Sequence, residues 1–208
     1  MTATMQPISR LFVSLGVAIG LVSCGGSVSK LPELDKNAVI LAFGDSLTFG
    51  TGDATDQSYP VRLSKLISRE IVNHGVPGEI SRDGLNRLPN VLDDVKPALL
   101  ILCHGGNDFL RKVDSKETEA NVRAMVKLAR DRNIAVLLMA TPKPGLLLAA
   151  PDFFEKIGSD LGIPVEGAVL AKVLGDNSLK ADLVHPNAMG YARIAEALAA
   201  ALKRAGAV

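Results

Sequence analysis

The sequence has little of several residue types that particular functions require. Tryptophan is absent and aromatic residues make up 4% of the 208 residues, which disfavours a platform for stacking nucleobases or long glycans. The formal net charge is +1 without any run of lysine or arginine, so nucleic-acid binding is not expected. The three histidines are scattered with no histidine or cysteine at ligand spacing, and no phosphate-binding glycine loop occurs. No metal and no cofactor are therefore predicted.

Cysteine is scarce as well, with Cys24 and Cys103 the two present. Cys103 ends the apolar run 98–103, which is typical of a buried strand, so we expect a small core residue there rather than a nucleophile. If Cys24 carries lipid, as argued next, Cys103 has no partner and no intrachain disulfide can form.

The N-terminus predicts export and lipid attachment. An apolar run over residues 11–22 follows Arg10. The run is about as long as the hydrophobic core of a signal peptide and is too short to span a bilayer comfortably. It leads into Leu-Val-Ser-Cys24-Gly, which resembles the lipobox of bacterial lipoproteins, in which the cysteine is lipidated and becomes the mature N-terminus. We predict a signal peptide over 1–23 and a membrane anchor on Cys24, facing the periplasm, with the outer membrane favoured by Gly25. The alternative is a plain secretory signal with an incidental cysteine.

The rest of the chain predicts a short tether over 24–36 and one domain over 37–208. Short apolar runs alternate with segments of helical periodicity. Strands are predicted at 38–43, 71–76, 98–103, 135–140 and Val165, and helices at 59–71, 85–95, 118–133, 151–161 and 187–205. Strands alternating with helices predict a parallel sheet covered by helices on both faces.

The run 44–50, which follows the first predicted strand, places Ser46 at the carboxyl end of that strand, where open α/β sheets bind ligands. A serine hydroxyl is a poor nucleophile without a base, and His185 is the best candidate because imidazole titrates near neutral pH. Asp182 lies three residues earlier, and a turn can bring its carboxylate to one ring nitrogen and fix the tautomer. A helix-entry motif with a capping aspartate is the structural alternative for Asp182 and His185.

Four blocks in order resemble the SGNH (GDSL) hydrolase family: 44–50, Gly78 within 76–79, 105–108 and 182–185. The resemblance covers about residues 38–204. It implies a three-layer α/β/α fold with a flavodoxin-like, parallel five-stranded sheet. It also implies a serine esterase with Ser46, His185 and Asp182 as the catalytic residues and an acyl-enzyme intermediate.

The same resemblance implies three donors for the oxyanion of the tetrahedral intermediate: the backbone N–H groups of Ser46 and Gly78, and the side-chain amide of Asn107. Glycine lets a backbone N–H approach a ligand closely, and Pro77 before it has no N–H of its own. Ordinary Pro-Gly and Gly-Gly-Asn turns are the alternatives.

Other polar residues near these blocks are expected to be structural. Asp45 and Asp108 are predicted to bond backbone amides in turns, and His74 to lie at a core or edge position of the second strand. His104 follows the third strand and is a candidate for lining the pocket.

The run 44–50 with a following Tyr-Pro pair resembles the arylesterase, acyl-CoA thioesterase and lysophospholipase subgroup. Short-chain acyl or aryl esters, or thioesters, are the expected small-molecule substrates, and the apolar loop 143–150 either lines an acyl pocket or packs on the core. Two alternatives remain open: an O-acetylesterase acting on cell-wall polysaccharide, and a catalytically silent lipoprotein that binds a ligand or partner.

Overall fold

The structure is a computed structural model that describes residues 1–2, 29–53, 55–145 and 148–208. Cys24 and nearly all of the predicted signal peptide lie outside these ranges, so their predictions stay predictions. Among the helices that the structure does describe, none combines the length and the apolar character that crossing a bilayer requires.

Five parallel strands form the central sheet in the order β2-β1-β3-β4-β5. The strands are β1 (Val39–Gly44), β2 (Glu70–Gly75), β3 (Leu99–Cys103), β4 (Ala135–Met139) and β5 (Val165–Glu166). All five residues of β3 are buried, since parallel sheets are covered on both faces and their strands are apolar throughout. This 2-1-3-4-5 order is the flavodoxin-like one, so the predicted fold is confirmed.

Helices cover both faces of the sheet. Within the described ranges the α-helices are α1 (Ser46–Phe49), α2 (Tyr59–Ile67), α3 (Ser81–Val95), α4 (Gly106–Leu110), α5 (Ser115–Arg130), α6 (Phe153–Leu161), α7 (Val169–Gly175) and α8 (Ala188–Ala205). One hydrophobic cluster joins one face of the sheet to α2, α7 and α8, and a second joins the other face to α3, α5 and α6. The molecule therefore has the predicted three layers.

The long helices occur where periodicity predicts them, with shifted ends. The helix predicted over 59–71 ends at Ile67, because Ser68 adopts a left-handed conformation with φ 51° and its N–H bonds Ser64 O. The sequence analysis did not predict α1, α4 and α7, which have four, five and seven residues. Helices this short give two turns of periodicity or fewer, which is too little to distinguish them from loops.

The folded part begins before the predicted boundary at residue 37. Leu31 and Leu34 are buried in the core cluster beside α8. Their N–H groups donate to Ala205 O at 3.0 Å and to Ala207 O at 2.9 Å. The predicted tether over 24–36 is therefore too long at its C-terminal end, because two leucines three residues apart bury apolar surface that a free tether would expose.

The carboxyl ends of β1 and β3 approach each other closely. A Cβ atom on Gly44 would lie 2.2 Å from Cys103 O, so only glycine fits at the end of β1. Gly44 O accepts a 2.9 Å hydrogen bond from Val76 N, which ties the loop after β2 to the same edge. Three of the motif-bearing loops therefore start from one edge of the sheet.

Candidate active site

Ser46 is the first residue of α1, immediately beyond β1. The side chain of Asp45 caps this one-turn helix by accepting a 3.0 Å hydrogen bond from Leu47 N. The helix stops at Gly50, which has φ 105° and donates its N–H to Ser46 O. Ser46 is half-buried, so its hydroxyl is held by a rigid turn at the carboxyl end of the sheet and stays accessible.

Asp182 organises the loop before α8. Its Oδ1 accepts hydrogen bonds from Val184 N at 2.8 Å and His185 N at 2.9 Å, and its Oδ2 accepts one from His185 Nδ1 at 2.8 Å. One carboxylate therefore fixes both the turn and the imidazole ring. This is a local arrangement of residues three positions apart, as the sequence predicts.

His185 also reaches Ser46, which lies 139 positions away in the chain: its Nε2 is 3.0 Å from Ser46 Oγ. A carboxylate can only accept a hydrogen bond, so Nδ1 carries the ring hydrogen and Nε2 is free to accept from the serine hydroxyl. The three predicted residues thus form one hydrogen-bonded chain with the polarity that serine activation needs.

The electrostatics keep Asp182 ionised. Burial opposes ionisation, but the hydrogen bonds from His185 and from the Val184 and His185 amides outweigh it and lower the pKa of Asp182 below its ordinary value. The Asp182 side chain remains 52% exposed, so water screens part of this interaction.

The predicted oxyanion donors face one cavity, whose lining includes Ser46, Gly78 and Asn107 together with His185. In the part of the chain that the structure describes, neither Ser46 N–H nor Gly78 N–H donates a hydrogen bond to the protein. Gly78 has φ 79°, a left-handed conformation that glycine adopts without strain, and Arg111 donates a 2.8 Å hydrogen bond to its carbonyl. Both amides are thus available to a ligand oxygen.

The Asn107 amide is held rather than free. Its Nδ2 donates to Asp45 Oδ2 at 3.2 Å and to Glu79 O at 3.0 Å. A ligand oxygen at this end of the cavity therefore shares one of these two N–H groups with Asp45 or Glu79.

The nearby aspartates have the structural contacts predicted for them. Besides capping α1, Asp45 is buried, and the loss of solvation raises its pKa despite the favourable charge of His104 and the Leu47 amide. Asp108 accepts hydrogen bonds from Ser81 N at 2.8 Å and Ser81 Oγ at 2.5 Å, so it joins α4 to the start of α3.

His74, His104 and Cys103 take no part in the hydrogen-bonded chain of Ser46, His185 and Asp182. His104, which the sequence left only as a candidate for the pocket, is fully buried, bonds Glu79 and is not among the residues that line the cavity. His74 is half-buried on β2, and burial and Arg87 lower its pKa. Cys103 is buried as predicted, and the loss of solvation raises the pKa of its thiol. The described residues hold no cluster of three or more His, Cys, Asp or Glu side chains suited to a metal ion.

The cavity beside Ser46 has a volume of about 280 Å³ and mostly apolar walls. The apolar side chains that line it are Leu47, Pro77, Leu110, Pro142, Pro144, Leu148, Leu174, Leu183 and Val184. Pro144 and Leu148 belong to the apolar loop 143–150, which therefore contributes to the pocket. The sequence analysis did not single out Leu110, Leu174 or Leu183, because isolated leucines in three separate segments give no pattern.

Comparison with known proteins agrees with this architecture. Esterase TesA of Pseudomonas aeruginosa is 34% identical over 110 residues, which are 50% of this chain and 55% of that protein. The Escherichia coli protein named Thioesterase 1/protease 1/lysophospholipase L1 is 28% identical over 172 residues, covering 79% of this chain and 83% of that one. The crystal structure of TesA superposes with a TM-score of 0.73 at 28% identity, over 80% of this chain and 99% of that chain.

A family comparison covers most of the domain. Residues 42–193, well over half of the chain, match the model of the GDSL-like Lipase/Acylhydrolase family. The matched range begins in β1 and ends in α8, so it includes all four sequence blocks and the residues that meet around the cavity. The chain belongs to the GDSL-like Lipase/Acylhydrolase family.

Proposed function

We propose that this protein is a serine esterase that hydrolyses acyl esters or thioesters at Ser46. The observation that carries the proposal is the hydrogen-bonded chain from Ser46 Oγ through His185 to Asp182, with distances of 3.0 Å and 2.8 Å. Ser46 and His185 line an apolar cavity, which also exposes the backbone N–H groups of Ser46 and Gly78 to a ligand. Membership of an acylhydrolase family and similarity to proteins named esterase and thioesterase support it.

In the proposed reaction, Ser46 Oγ attacks the ester carbonyl while His185 Nε2 takes the hydroxyl proton. Asp182 stabilises the resulting imidazolium and holds the ring in place. Ser46 N–H, Gly78 N–H and the Asn107 amide donate to the oxyanion, where one such donor typically contributes ~2.7–4 kcal/mol to lowering the barrier. His185 then protonates the leaving alkoxide or thiolate, and a water molecule activated by the same ring releases the acid from Ser46.

The walls of the cavity favour a short apolar acyl chain over a sugar. They present leucine and proline side chains, and each methylene that they remove from water contributes ~0.8 kcal/mol. Assaying the chain from residue 25 onward on aryl esters of rising acyl length, beside acetylated glycans, tests this. Hydrolysis that is fastest on aryl esters with a short acyl chain supports the proposal, whereas hydrolysis confined to acetylated glycans supports a polysaccharide O-acetylesterase.

Enlarging a wall residue is predicted to shorten the preferred acyl chain. Leu174→Phe fills part of the cavity from α7, so kcat/KM for a hexanoyl ester falls roughly tenfold relative to an acetyl ester, as the contact of about two methylenes is lost. The matched control is Leu66→Phe on the exposed side of α2, which leaves the ratio unchanged. An unaltered ratio in Leu174→Phe contradicts an acyl-binding role for this cavity.

The proposed location is the extracytoplasmic side of the bacterial cell envelope, with lipid on Cys24. The sequence 21–25 supports this proposal. Folded structure is present from Leu31, so the tether between Cys24 and the domain comprises the few residues between them.

Cys24→Ser is predicted to release the protein from the membrane, because the serine side chain cannot receive the thioether-linked lipid. Fractionation of cells that express either form measures this, with metabolic labelling by a fatty acid as the second readout. Cys103→Ser is the matched control and keeps the label. Retention of Cys24→Ser in the membrane fraction, with an unprocessed N-terminus, contradicts the lipoprotein proposal.

A further inference from the structure

Glu79 is a buried carboxylate next to the proposed oxyanion site, in the loop between β2 and α3. Its side chain is 7% exposed. Arg87, on α3, donates to both of its oxygens, from Nε to Oε1 at 2.9 Å and from Nη2 to Oε2 at 2.8 Å. His104 Nε2, at the end of β3, lies 3.1 Å from Oε2. Three separate elements thus meet on one carboxylate.

Glu79 is held in its ionised form. Burial opposes ionisation of Glu79, but the hydrogen bond from His104 and the ion pair with Arg87 outweigh it and lower its pKa to about 2. The carboxylate can only accept, so His104 carries hydrogen on Nε2. His104 Nδ1 is buried without a hydrogen-bond partner among the residues that the structure describes. The ring is therefore oriented by the single hydrogen bond to Glu79.

The surroundings are shaped to hold these two partners. A Cβ atom on Gly84 would lie 2.4 Å from His104 Nε2, so the absence of a side chain at this position in α3 makes room for the ring. The guanidinium carbon of Arg87 lies 4.1 Å from the centroid of the Phe43 ring, and the ring of His104 lies 5.8 Å from it. Arg87 and His104 are thus both packed against the ring of Phe43, the second-last residue of β1.

The backbone of Glu79 connects this cluster to the cavity. Its carbonyl accepts the 3.0 Å hydrogen bond from Asn107 Nδ2, and its N–H donates to Val76 O at 3.2 Å, which closes the turn containing Gly78. Movement of Glu79 would therefore move two of the three proposed oxyanion donors. The side chains of Glu79, Arg87 and His104 do not line the cavity, so the cluster acts through these donors and not on the substrate.

We infer that Glu79, clamped by Arg87 and His104, is a positioning residue that sets the direction of the Gly78 N–H and the Asn107 amide. This inference rests on the proposed esterase function. Stability alone is a weak reason for such a cluster, because a buried ion pair often contributes little more than apolar residues of the same size. Holding donors in place before the reaction is the established way in which an oxyanion site gains its effect.

The test is Glu79→Gln in the full-length chain, assayed on an aryl ester in detergent. The substitution keeps the shape but removes the charge that Arg87 and His104 require. We expect kcat to fall about tenfold to a hundredfold and KM to stay within about twofold, since the lost interaction is made in the transition state. Glu117→Gln is the matched control: it breaks the exposed ion pair with Arg82 of the same helix α3 and leaves kcat unchanged.

A second readout does not depend on activity. Hydrogen–deuterium exchange of peptides covering 76–80 is expected to accelerate in Glu79→Gln and to stay at the wild-type rate in Glu117→Gln. If Glu79→Gln does not fold, Arg87→Lys replaces it, because lysine keeps the charge but cannot bond both carboxylate oxygens together. A wild-type kcat or unchanged exchange in the variant overturns the inference. If the wild-type protein hydrolyses no ester, the proposed function fails, and exchange over 76–80 alone decides whether Glu79 positions the loop.

Discussion

Ser46→Ala is expected to lower kcat for ester hydrolysis by about 10⁵–10⁶-fold, because His185 then has no hydroxyl to deprotonate and no acyl-enzyme can form. Residual catalysis above the rate in water remains, supplied by the oxyanion donors and by substrate binding. The measurements are turnover of an aryl ester and covalent labelling by a fluorophosphonate, both of which require the serine oxygen.

Two features make the Ser46→Ala experiment decisive. Ser46 is half-buried and its hydroxyl contacts His185 rather than a core group, so alanine costs little stability and an unchanged melting temperature is expected. Ser159→Ala on the exposed side of α6 is the matched control and retains full activity and labelling. Hydrolysis by Ser46→Ala at the wild-type rate would refute the proposed nucleophile, and absence of both turnover and labelling in the wild type would favour a silent binding protein.

The sheet could be predicted from the sequence because its strands are buried on both faces. A short, continuous apolar run such as 98–103 is typical of a strand that is buried on both faces. All five strands lie where such runs predict them, within one or two residues. The ends of the helices depend on capping contacts instead. The predicted helix over 118–133 begins earlier, at Ser115, because Asp114 accepts a hydrogen bond from Lys116 N at 2.9 Å and so caps it.

The parts that the sequence did not predict depend on contacts between distant segments. Leu31 and Leu34 follow a polar stretch, and their burial is apparent only once α8 lies beside them. The Glu79 cluster requires that α3 and the end of β3 meet, which no spacing in the sequence reveals. Similarly, the cavity draws its leucines from the loops and short helices at the carboxyl edge of the sheet.

The proposed catalytic residues are a different case, because most of their geometry is local or set by the sheet. Asp182 and His185 share one turn, so their contact follows from three residues of separation. Ser46 meets them because β1 is an inner strand of the sheet, and the loop before α8 brings His185 to the carboxyl end of that strand. The hydrogen-bonding of Asn107 to Asp45 and Glu79 was not apparent from the motif, which suggests an amide free to donate.

Asp182→Asn is expected to reduce kcat by about 10³–10⁴-fold, and to be more harmful than Asp182→Ala. The reason lies in the two backbone N–H groups, of Val184 and His185, that both point at Oδ1. They require an oxygen at that position, so the asparagine places its NH₂ group against His185 Nδ1. That nitrogen must then accept, which moves the ring hydrogen to Nε2, where it faces Ser46 and prevents His185 from acting as a base.

Alanine at 182 imposes no such tautomer. Because the Asp182 side chain is 52% exposed, water can reach Nδ1 in Asp182→Ala and accept its hydrogen, which preserves a fraction of the activity. Asp176→Asn is the matched control, since Asp176 also accepts from a backbone N–H two residues ahead, Ser178 N at 2.8 Å, but has no histidine partner. Rates of aryl ester hydrolysis, with ¹⁵N chemical shifts of the His185 ring to identify its tautomer, measure the effect. If the His185 ring in Asp182→Asn keeps its hydrogen on Nδ1, this explanation is wrong. If Asp182→Asn is faster than Asp182→Ala, the predicted order is wrong. Both expectations follow from the orientation that the two backbone amides impose on the side chain at position 182.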